Sequence, residues 1–162
     1  MTDNKSISEL MERGEQAEAL AAAARALPKR YVVAWACECF KGLLASVGTT
    51  NDVDRAGLSL AQQWLADPTE ANRRAALDFA EAGEFSSAGA WLAASAGWNG
   101  GSLMPRGYDV VPPPDHLPAE AAVAALRLAA SQGPDYAATM NGFVARALQI
   151  SSPTKASSEA RS

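Results

Sequence analysis

Histidine is the side chain that proteins use most often as a base, and this chain of 162 residues has only one. His116 follows Asp115 directly, inside a proline-rich segment. Because adjacent side chains diverge, the two residues do not form a dyad by their position in the sequence. The Gly-x-Ser-x-Gly pattern of a nucleophile elbow is also absent. We therefore predict no catalytic residue and interpret His116 as a loop residue that bonds to backbone or water and that a partner could contact.

The two cysteines, Cys37 and Cys39, lie two residues apart in a segment with helical periodicity. Side chains two apart on a helix point in nearly opposite directions, so these thiols cannot pair with each other there. Two thiols without histidine or acidic partners at metal-ligand spacing do not make a zinc site. We expect reduced thiols, with Cys39 on the buried stripe and Cys37 on its flank, and no metal ion or cofactor.

The remaining charged residues are interpreted as solvated surface. Most carboxylates fall on the polar faces of predicted helices, away from the apolar clefts that acid–base catalysis needs. Arg73 and Arg74 are flanked by acids and are also interpreted as a solvated helix face. The glycines at positions 100 and 101 are followed by no lysine and preceded by no predicted strand, so they do not indicate a phosphate-binding loop.

Composition excludes further classes of function. The formal net charge is −4 and the pI about 5.0, which argues against a nucleic-acid-binding surface. The most apolar windows, around Leu20 and Leu126, are rich in alanine and interrupted by Arg25 and Arg127, so we predict no membrane insertion. The first residues show no basic segment followed by an apolar run, and we expect a cytoplasmic location.

Hydrophobic residues make up 48% of the chain, and many are alanine, the best helix former. Helical periodicity and helix-start signals recur along the chain, whereas β-branched residues are sparse. We predict an all-α, single-domain bundle of about six or seven helices with a long proline-rich loop strapped across it. The expected divisions are a flexible N-terminus at 1–5, one helical domain at 6–150 and a disordered tail at 151–162.

The helices are expected over seven segments. These are 7–26 with a possible weakness at Gly14, 29–46, 52–66, 68–82, 87–96, 119–131 and 136–150. In this scheme Trp35, Trp64 and Trp91 are large fillers of an alanine-rich core. The long segment 97–118 fits no helix.

The segment 97–118 is therefore the strongest candidate for a functional surface. Pro112-Pro113-Pro114 favours an extended polyproline conformation, and a loop of this length is often functional or a packed strap. Its apolar residues suit a strap over a helix groove. Alternatively, the loop is a docking edge for another protein, whose candidate contacts are Trp98, Arg106, Tyr108, Asp109 and His116.

Four segments, taken in order, resemble a known family. They are Ala26 to Cys37, Trp64 to Ala76, Gly100 to Leu103 and Pro112 to Leu117. The series is similar to an uncharacterised family of small helical bacterial proteins, some of which accompany type VI secretion genes. The resemblance covers roughly residues 24–150 and implies a bacterial cytoplasmic accessory protein. It carries no catalytic assignment.

Three functions are compatible with these features. We expect a non-enzymatic protein-interaction module, such as an adaptor or accessory protein of a secretion system, whose partner is another protein. The first alternative is an immunity protein that neutralises a basic toxin through an acidic face formed by Glu9, Glu12, Glu15 and Glu18. The second is an enzyme or small-molecule binder that uses His116, Asp115 and the aromatic residues near them. The sequence does not indicate an oligomeric state.

Overall fold

A computed structural model describes residues 4–47 and 51–151 of the chain. Within these ranges the secondary structure is entirely helical, which confirms the predicted all-α class. The helices are α1 (Asn4–Glu12), α2 (Gln16–Ala26), α3 (Lys29–Val47), α4 (Asp52–Ala66), α5 (Glu70–Ala82), α6 (Ala88–Gly97), α7 (Leu117–Ser131) and α8 (Tyr136–Ser151).

The described residues form eight helices, so the expected number of six or seven is wrong. The additional helix arises because the first predicted helix is interrupted between Glu12 and Gln16. Gly14 has a φ of +78° at this point. That left-handed conformation is open to glycine without steric cost and ends a right-handed helix.

Both ends of the helical region differ slightly from the expected ones. Helix α1 begins at Asn4, so Asn4 and Lys5 are helical rather than part of a flexible N-terminus, and Ser6 does not cap the helix. Helix α8 ends at Ser151. Residues 1–3 and 152–162, on which the other predictions for the termini fall, lie outside the described residues.

Side-chain caps fix the starts of three other helices. The sequence offers positions 50, 51 and 52 as candidate caps of α4, and positions 86 and 87 as candidate caps of α6. In the structure the side chains of Asn51 and Ser87 accept hydrogen bonds from the amides of Val53 and Ala90. Helix α5 is capped by Thr69 and not by Asp67, because Thr69 Oγ1 accepts from the amide of Asn72 at 3.1 Å. The proline at position 68 therefore precedes the helix instead of opening it.

Helix α6 lies at the centre of the fold. It packs against α3, α4, α5 and α7, and every residue in it except Trp91 is buried. A helix that is apolar on all sides must be enclosed by other elements. The small residues of Ala88–Gly97 allow those neighbours to approach closely.

Glycines form the closest of these approaches. A Cβ atom at Gly57 of α4 would overlap the backbone of Gly89 in α6, and one at Gly97 would lie 2.7 Å from the Cβ of Leu77 in α5. These backbones therefore touch at distances that only glycine permits. The contacts fix the spacing of α4 and α5 around α6.

A buried acid joins α4 to the start of α6. The apolar spacing of Val53 and Leu60 predicts that Asp54 faces water. Asp54 is instead only 5% exposed, and its Oδ1 accepts a hydrogen bond from the amide of Gly89 at 2.9 Å. This amide belongs to the first turn of α6, where a helix has unpaired N–H groups and a partial positive charge. The expectation is wrong because the side of α4 that carries Asp54 faces α6, whereas Val53 beside it is exposed.

The turn between α5 and α6 also departs from expectation. A glycine directly after the last turn of α5 predicts a left-handed cap at Gly83, yet its φ is −82°. The left-handed conformation falls on Glu84 and Phe85, each with a φ of +54°. Residues other than glycine rarely adopt this backbone conformation, so packing around the turn must stabilise it at both positions.

The close contact between α4 and α6 leads to a first prediction. Gly57→Ala should destabilise the protein by about 3 kcal/mol, because the new methyl group overlaps backbone rather than a movable side chain. Gly42→Ala is the matched control, since Gly42 is also within a helix but has open space around its Cβ position. The control should raise stability by up to about 1 kcal/mol. Urea unfolding followed by circular dichroism measures both, and equal effects of the two substitutions would contradict the close packing of α4 on α6.

Candidate protein-binding site

The loop between α6 and α7, residues 98–116, is anchored at both ends. At its start, Asn99 Nδ2 donates to the carbonyl of Lys29 at 2.9 Å. At its end, Lys29 Nζ lies 3.3 Å from Asp115 Oδ1. Just beyond, the buried hydroxyl of Ser95 donates to the carbonyl of Pro118 at 2.8 Å. The first turn of α3 therefore contacts both ends of the loop.

A buried arginine fixes the point where α6 passes into the loop. Arg73 is 4% exposed, and its Nε and Nη2 donate to the two carboxylate oxygens of Glu70 at 2.8 and 2.6 Å. Its Nη1 donates to the carbonyl of Gly97, the last residue of α6. The guanidinium thus satisfies a free carbonyl and complements the negative end of the helix dipole. Gly101 has a φ of +66°, and a Cβ there would lie 2.5 Å from the guanidinium.

The neighbouring arginine holds the next part of the loop. Arg74 Nη2 donates to the carbonyl of Met104 at 3.0 Å and lies 3.8 Å from Glu70 Oε1. The interpretation of Arg73 and Arg74 as a solvated face is therefore wrong. The sequence predicts the pairing of Glu70 with Arg74 at i,i+4, but it does not show that a distant loop lies over this side of α5.

Hydrogen bonds within the loop shape its outer part. Ser102 Oγ accepts from the amides of Met104 at 3.0 Å and Val111 at 2.8 Å, and the amide of Leu103 donates to the carbonyl of Val111 at 2.8 Å. Farther out, the amide of Tyr108 donates to the carbonyl of Pro105, and Gly107 has a φ of +91°. This is the glycine position of a type II turn. The bonds close residues 103–111 into a small hairpin-like structure.

We call residues 105–111 the loop tip. All of them are exposed, and besides Pro105 three are apolar or aromatic: Tyr108, Val110 and Val111 are 65%, 73% and 44% exposed. A strap along the whole loop would place these three side chains against the helices, whereas the alternative of a docking edge leaves Tyr108 exposed, as it is here. The apolar loop residues that are half-buried or buried are Trp98, Leu103, Met104 and Pro113 instead, and Leu117 is the first residue of α7.

Trp98 packs in an aromatic cluster at the base of the loop. Its ring stacks on Phe85 with centroids 5.5 Å apart and meets Trp91 edge-on at 6.3 Å. Phe85 and Trp91 also touch, at 5.2 Å. The cluster explains how Phe85 keeps its left-handed backbone conformation. It also accounts for Trp91, which is half-buried, whereas Trp35 and Trp64 are core residues as predicted.

The five predicted partner-binding residues therefore occupy three places. Arg106, Tyr108 and Asp109 lie together in the loop tip and are exposed. Trp98 belongs to the aromatic cluster. His116 is the residue before α7, with its side chain 56% exposed and its Nε2 4.0 Å from Glu120 Oε1. Asp115 beside it has a side chain that is 92% exposed.

A groove runs between α5 and the loop, beside the tip. One wall is formed by Ala71, Arg74, Ala75, Asp78 and Glu81 of α5, and the other by Leu103, Pro105 and Arg106. Its volume is about 430 Å³, within the range of ligand-binding clefts. We call it the α5 groove. The sequence contains its residues but gives no signal that they face one another.

The thiols lie elsewhere, in α3, and are poor nucleophiles. Cys37 is buried and Cys39 half-buried, the reverse of the expected order, because α3 is enclosed on the side that carries Val33 and Cys37. Burial raises the pKa of each thiol to about 12. For Cys39 the neighbouring Glu38 adds to the rise, whereas Arg146 opposes it. The reactive form of a cysteine is the thiolate, which is scarce at such a pKa.

The described residues were also compared with the patterns of metal-binding side chains and membrane-spanning helices. In residues 4–47 and 51–151, no group of three or more His, Cys, Asp or Glu side chains could hold a metal ion. None of the helices in these ranges combines the length and apolarity needed to cross a membrane.

The comparison with protein families gives one match. Residues 6–151 match a family of unknown function, DUF6931. The chain belongs to this family. The match includes all of the helices from α2 to α8 and the whole loop, and it confirms the resemblance to an uncharacterised helical family. No curated protein and no solved structure matches the chain.

The contact between Glu70 and Arg73 predicts a pH-dependent stability. Hydrogen bonds from Arg73 hold the pKa of Glu70 below its ordinary value of 4.5, and the charges of Arg73, Arg74 and Arg106 act in the same direction. A pKa that is lower in the folded state stabilises the protein at pH values above the ordinary pKa. This contribution is lost as the pH falls through the folded-state pKa. Glu70→Gln should therefore lower the free energy of unfolding by about 1 kcal/mol at pH 7. The effect is small because the Glu70 side chain is 55% exposed and its charge is partly screened by solvent.

Urea unfolding of wild type and Glu70→Gln at pH 7 and pH 3 measures this difference. The gap between the two proteins should shrink at pH 3. A gap of the same size at both values would show that the carboxylate charge contributes nothing.

The buried thiols lead to a separate prediction. At pH 8 a thiol reagent such as iodoacetamide should modify the folded protein at least about a hundredfold more slowly than the unfolded protein, because few thiolates form. Mass spectrometry of wild type and Cys39→Ala assigns the slow modification to each cysteine. Rapid modification of the folded wild type would contradict the burial of these residues.

Proposed function

We propose that this protein is a non-enzymatic interaction module that binds another protein through the loop tip. The observation that carries the proposal is the exposed apolar surface of Tyr108 and Val110 on a loop whose base is fixed. Apolar and aromatic side chains that are exposed together are typical of protein-binding surfaces. A tip held by Ser102 and the Gly107 turn also loses little conformational entropy when it binds.

The anchors of the loop support this function by setting the position of the tip. Arg73 and Arg74 hold residues 97–104 against α5. The hydrogen bond from the amide of Leu103 to the carbonyl of Val111 joins the two ends of the tip. The tip therefore projects from a fixed base. Binding sites on loops are commonly positioned in this way by a rigid scaffold.

The cellular setting that we propose follows the family resemblance. The resemblance implies bacterial proteins of which some accompany type VI secretion genes, and we propose a cytoplasmic adaptor or accessory role in such a system. The apolar tip supports binding to a protein, whereas the setting depends on the resemblance alone.

The immunity-protein alternative would use a different surface. Glu9, Glu12, Glu15 and Glu18 are all exposed on α1, α2 and the turn between them, and the exposed Arg13 lies among them. A basic toxin would have to cover this surface rather than the loop tip. The position at which a partner crosslinks thus separates the two functions.

The enzyme alternative receives less support from the geometry. The side chains of His116 and Asp115 are largely exposed, and Asp115 is paired with Lys29. A catalytic base usually lies within a cleft that shapes its pKa and excludes water. His116 instead lies on the surface at the start of α7.

The first step of the test is crosslinking in the source cell. A photoreactive amino acid replaces Val110 in the tip, and a matched protein carries it at Tyr31, which is 55% exposed on α3. We expect one protein to crosslink at position 110 and not at position 31. Equal crosslinking at both positions, or none at 110, would contradict the proposal. A third protein carries the photoreactive residue at Glu12, and crosslinking at that position alone would favour the immunity function.

The second step measures the affinity of the purified partner. Tyr108→Ala should weaken binding by about 2 kcal/mol, or roughly 30-fold in Kd, because an aromatic contact at the centre of an interface is lost. Tyr31→Ala is the control and should leave the Kd unchanged. Isothermal titration calorimetry gives both values, and circular dichroism checks that each variant is folded.

A further inference from the structure

The α5 groove carries opposite charges at its two ends. Arg74 and Arg106 line one end, where Arg106 is close enough to Glu70 to help lower the pKa of that carboxyl, after the larger effect of the Arg73 hydrogen bond. Asp78 and Glu81 line the other end and follow Arg74 by about one and two turns of α5.

Most of these charges are not neutralised within the described residues. Arg106, Asp78 and Glu81 have no ion pair there, and Arg74 is 3.8 Å from Glu70. The Nε of Arg74 is buried and has no hydrogen-bond acceptor among them. Because this atom is buried, the groove offers a ligand the positive charge of a guanidinium that is 15% exposed, and that charge favours a negatively charged oxygen.

The walls between the charged ends suit a narrow ligand. Ala71 and Ala75 are small, and Leu103 and Pro105 form an apolar wall opposite them. A nucleic acid or another polyanion fits poorly, because Asp78 and Glu81 would repel it. An extended peptide can place one charge at each end of the groove and small apolar groups between them.

We propose that the α5 groove binds an extended segment of the partner protein that carries an acidic side chain and, two or three residues away, a basic one. The acid pairs with Arg74 and Arg106, and the base pairs with Asp78 and Glu81. Along α5, Asp78 and Glu81 lie about 6 and 10 Å from Arg74 at 1.5 Å per residue. An extended peptide advances about 3.3 Å per residue, which gives the spacing.

This inference rests on the proposed function, because the segment belongs to the protein that the loop tip contacts. Pro105 and Arg106 belong to both the tip and the groove, so one partner can cover the two surfaces together. The tip supplies the apolar contact, and the groove selects the partner by charge.

The experiment selects ligands from a library of random 12-residue peptides displayed on phage, with the purified full chain as bait. We expect enriched peptides to carry an acidic and a basic residue two or three positions apart. Synthetic copies are then measured by fluorescence anisotropy. Asp78→Lys and Arg106→Glu should each weaken binding at least about tenfold, because an attractive charge becomes repulsive.

Two controls make the result specific. Arg127→Glu makes the same charge change as Arg106→Glu at an exposed position of α7 and should leave binding unchanged. In a second peptide the acidic and basic residues exchange positions, which reverses the order of the two charges. If both ends of the groove hold the segment, this peptide should bind at least about tenfold more weakly. Absence of enrichment, enrichment without the charge pattern, or equal binding by Asp78→Lys and wild type would overturn the inference.

The failure of this inference can be told apart from failure of the proposed function. Asp78 lies on α5 and outside the loop tip. If a partner crosslinks at position 110 but binds Asp78→Lys as well as wild type, the groove is not its site and the proposed function stands. If no protein crosslinks at the tip, the proposed function fails whatever the peptides show.

Discussion

The position of the loop depends on the guanidinium of Arg73. Its three nitrogen atoms reach Glu70 on its own helix and the last carbonyl of α6, and its face is covered by Gly101. A buried charge is costly unless hydrogen bonds satisfy it. The bonds to Glu70 form within α5, whereas the bond to the Gly97 carbonyl is available only when α5 lies against the end of α6. The planar fork of arginine can make them, whereas the single ammonium of lysine could not reproduce the geometry.

The arrangement around Arg73 requires α6 to be buried and closely surrounded. Ala88–Gly97 has no polar side to turn toward water, so α3, α4, α5 and α7 must cover it. The glycines at positions 57, 89 and 97 bring α4 and α5 close enough to do so. Asp54 and Arg73 then satisfy the two ends of α6, one at an amide and the other at a carbonyl. Side chains from the neighbouring helices therefore bind free backbone groups at both ends of α6, at its start and where the loop begins.

Local patterns in the sequence were sufficient to predict most of the helices. The apolar spacing of α3 and the cap at Ser87 depend on residues only a few positions apart. Glycine at position 14 was a visible weakness, but propensity alone did not decide whether it bent or ended the helix. The all-α class followed because alanine and helical periodicity agree over nearly the whole chain.

Contacts between distant parts of the chain could not be predicted in the same way. Asp54 and Arg73 look like ordinary surface charges, since acidic and basic residues at helical spacing are usually solvated. Their burial depends on which side of α4 or α5 faces α6, and a rotation of one residue changes that side by about 100°. The sequence indicated Tyr108 as a candidate partner contact, but the exposure of Val110 had no local signal. The tip is shaped by the hydrogen bond that Ser102 Oγ accepts across nine residues from the amide of Val111.

The two parts of the loop differ in their contacts with the helices. Residues 97–104 contact α5 through Arg73, Arg74 and half-buried side chains, whereas residues 105–111 leave the helices. A strap alone would place its apolar residues inward, but Val110 is 73% exposed. A docking edge alone would not need a buried arginine at its base. The division therefore favours a loop whose first part fixes the direction in which the second part is presented.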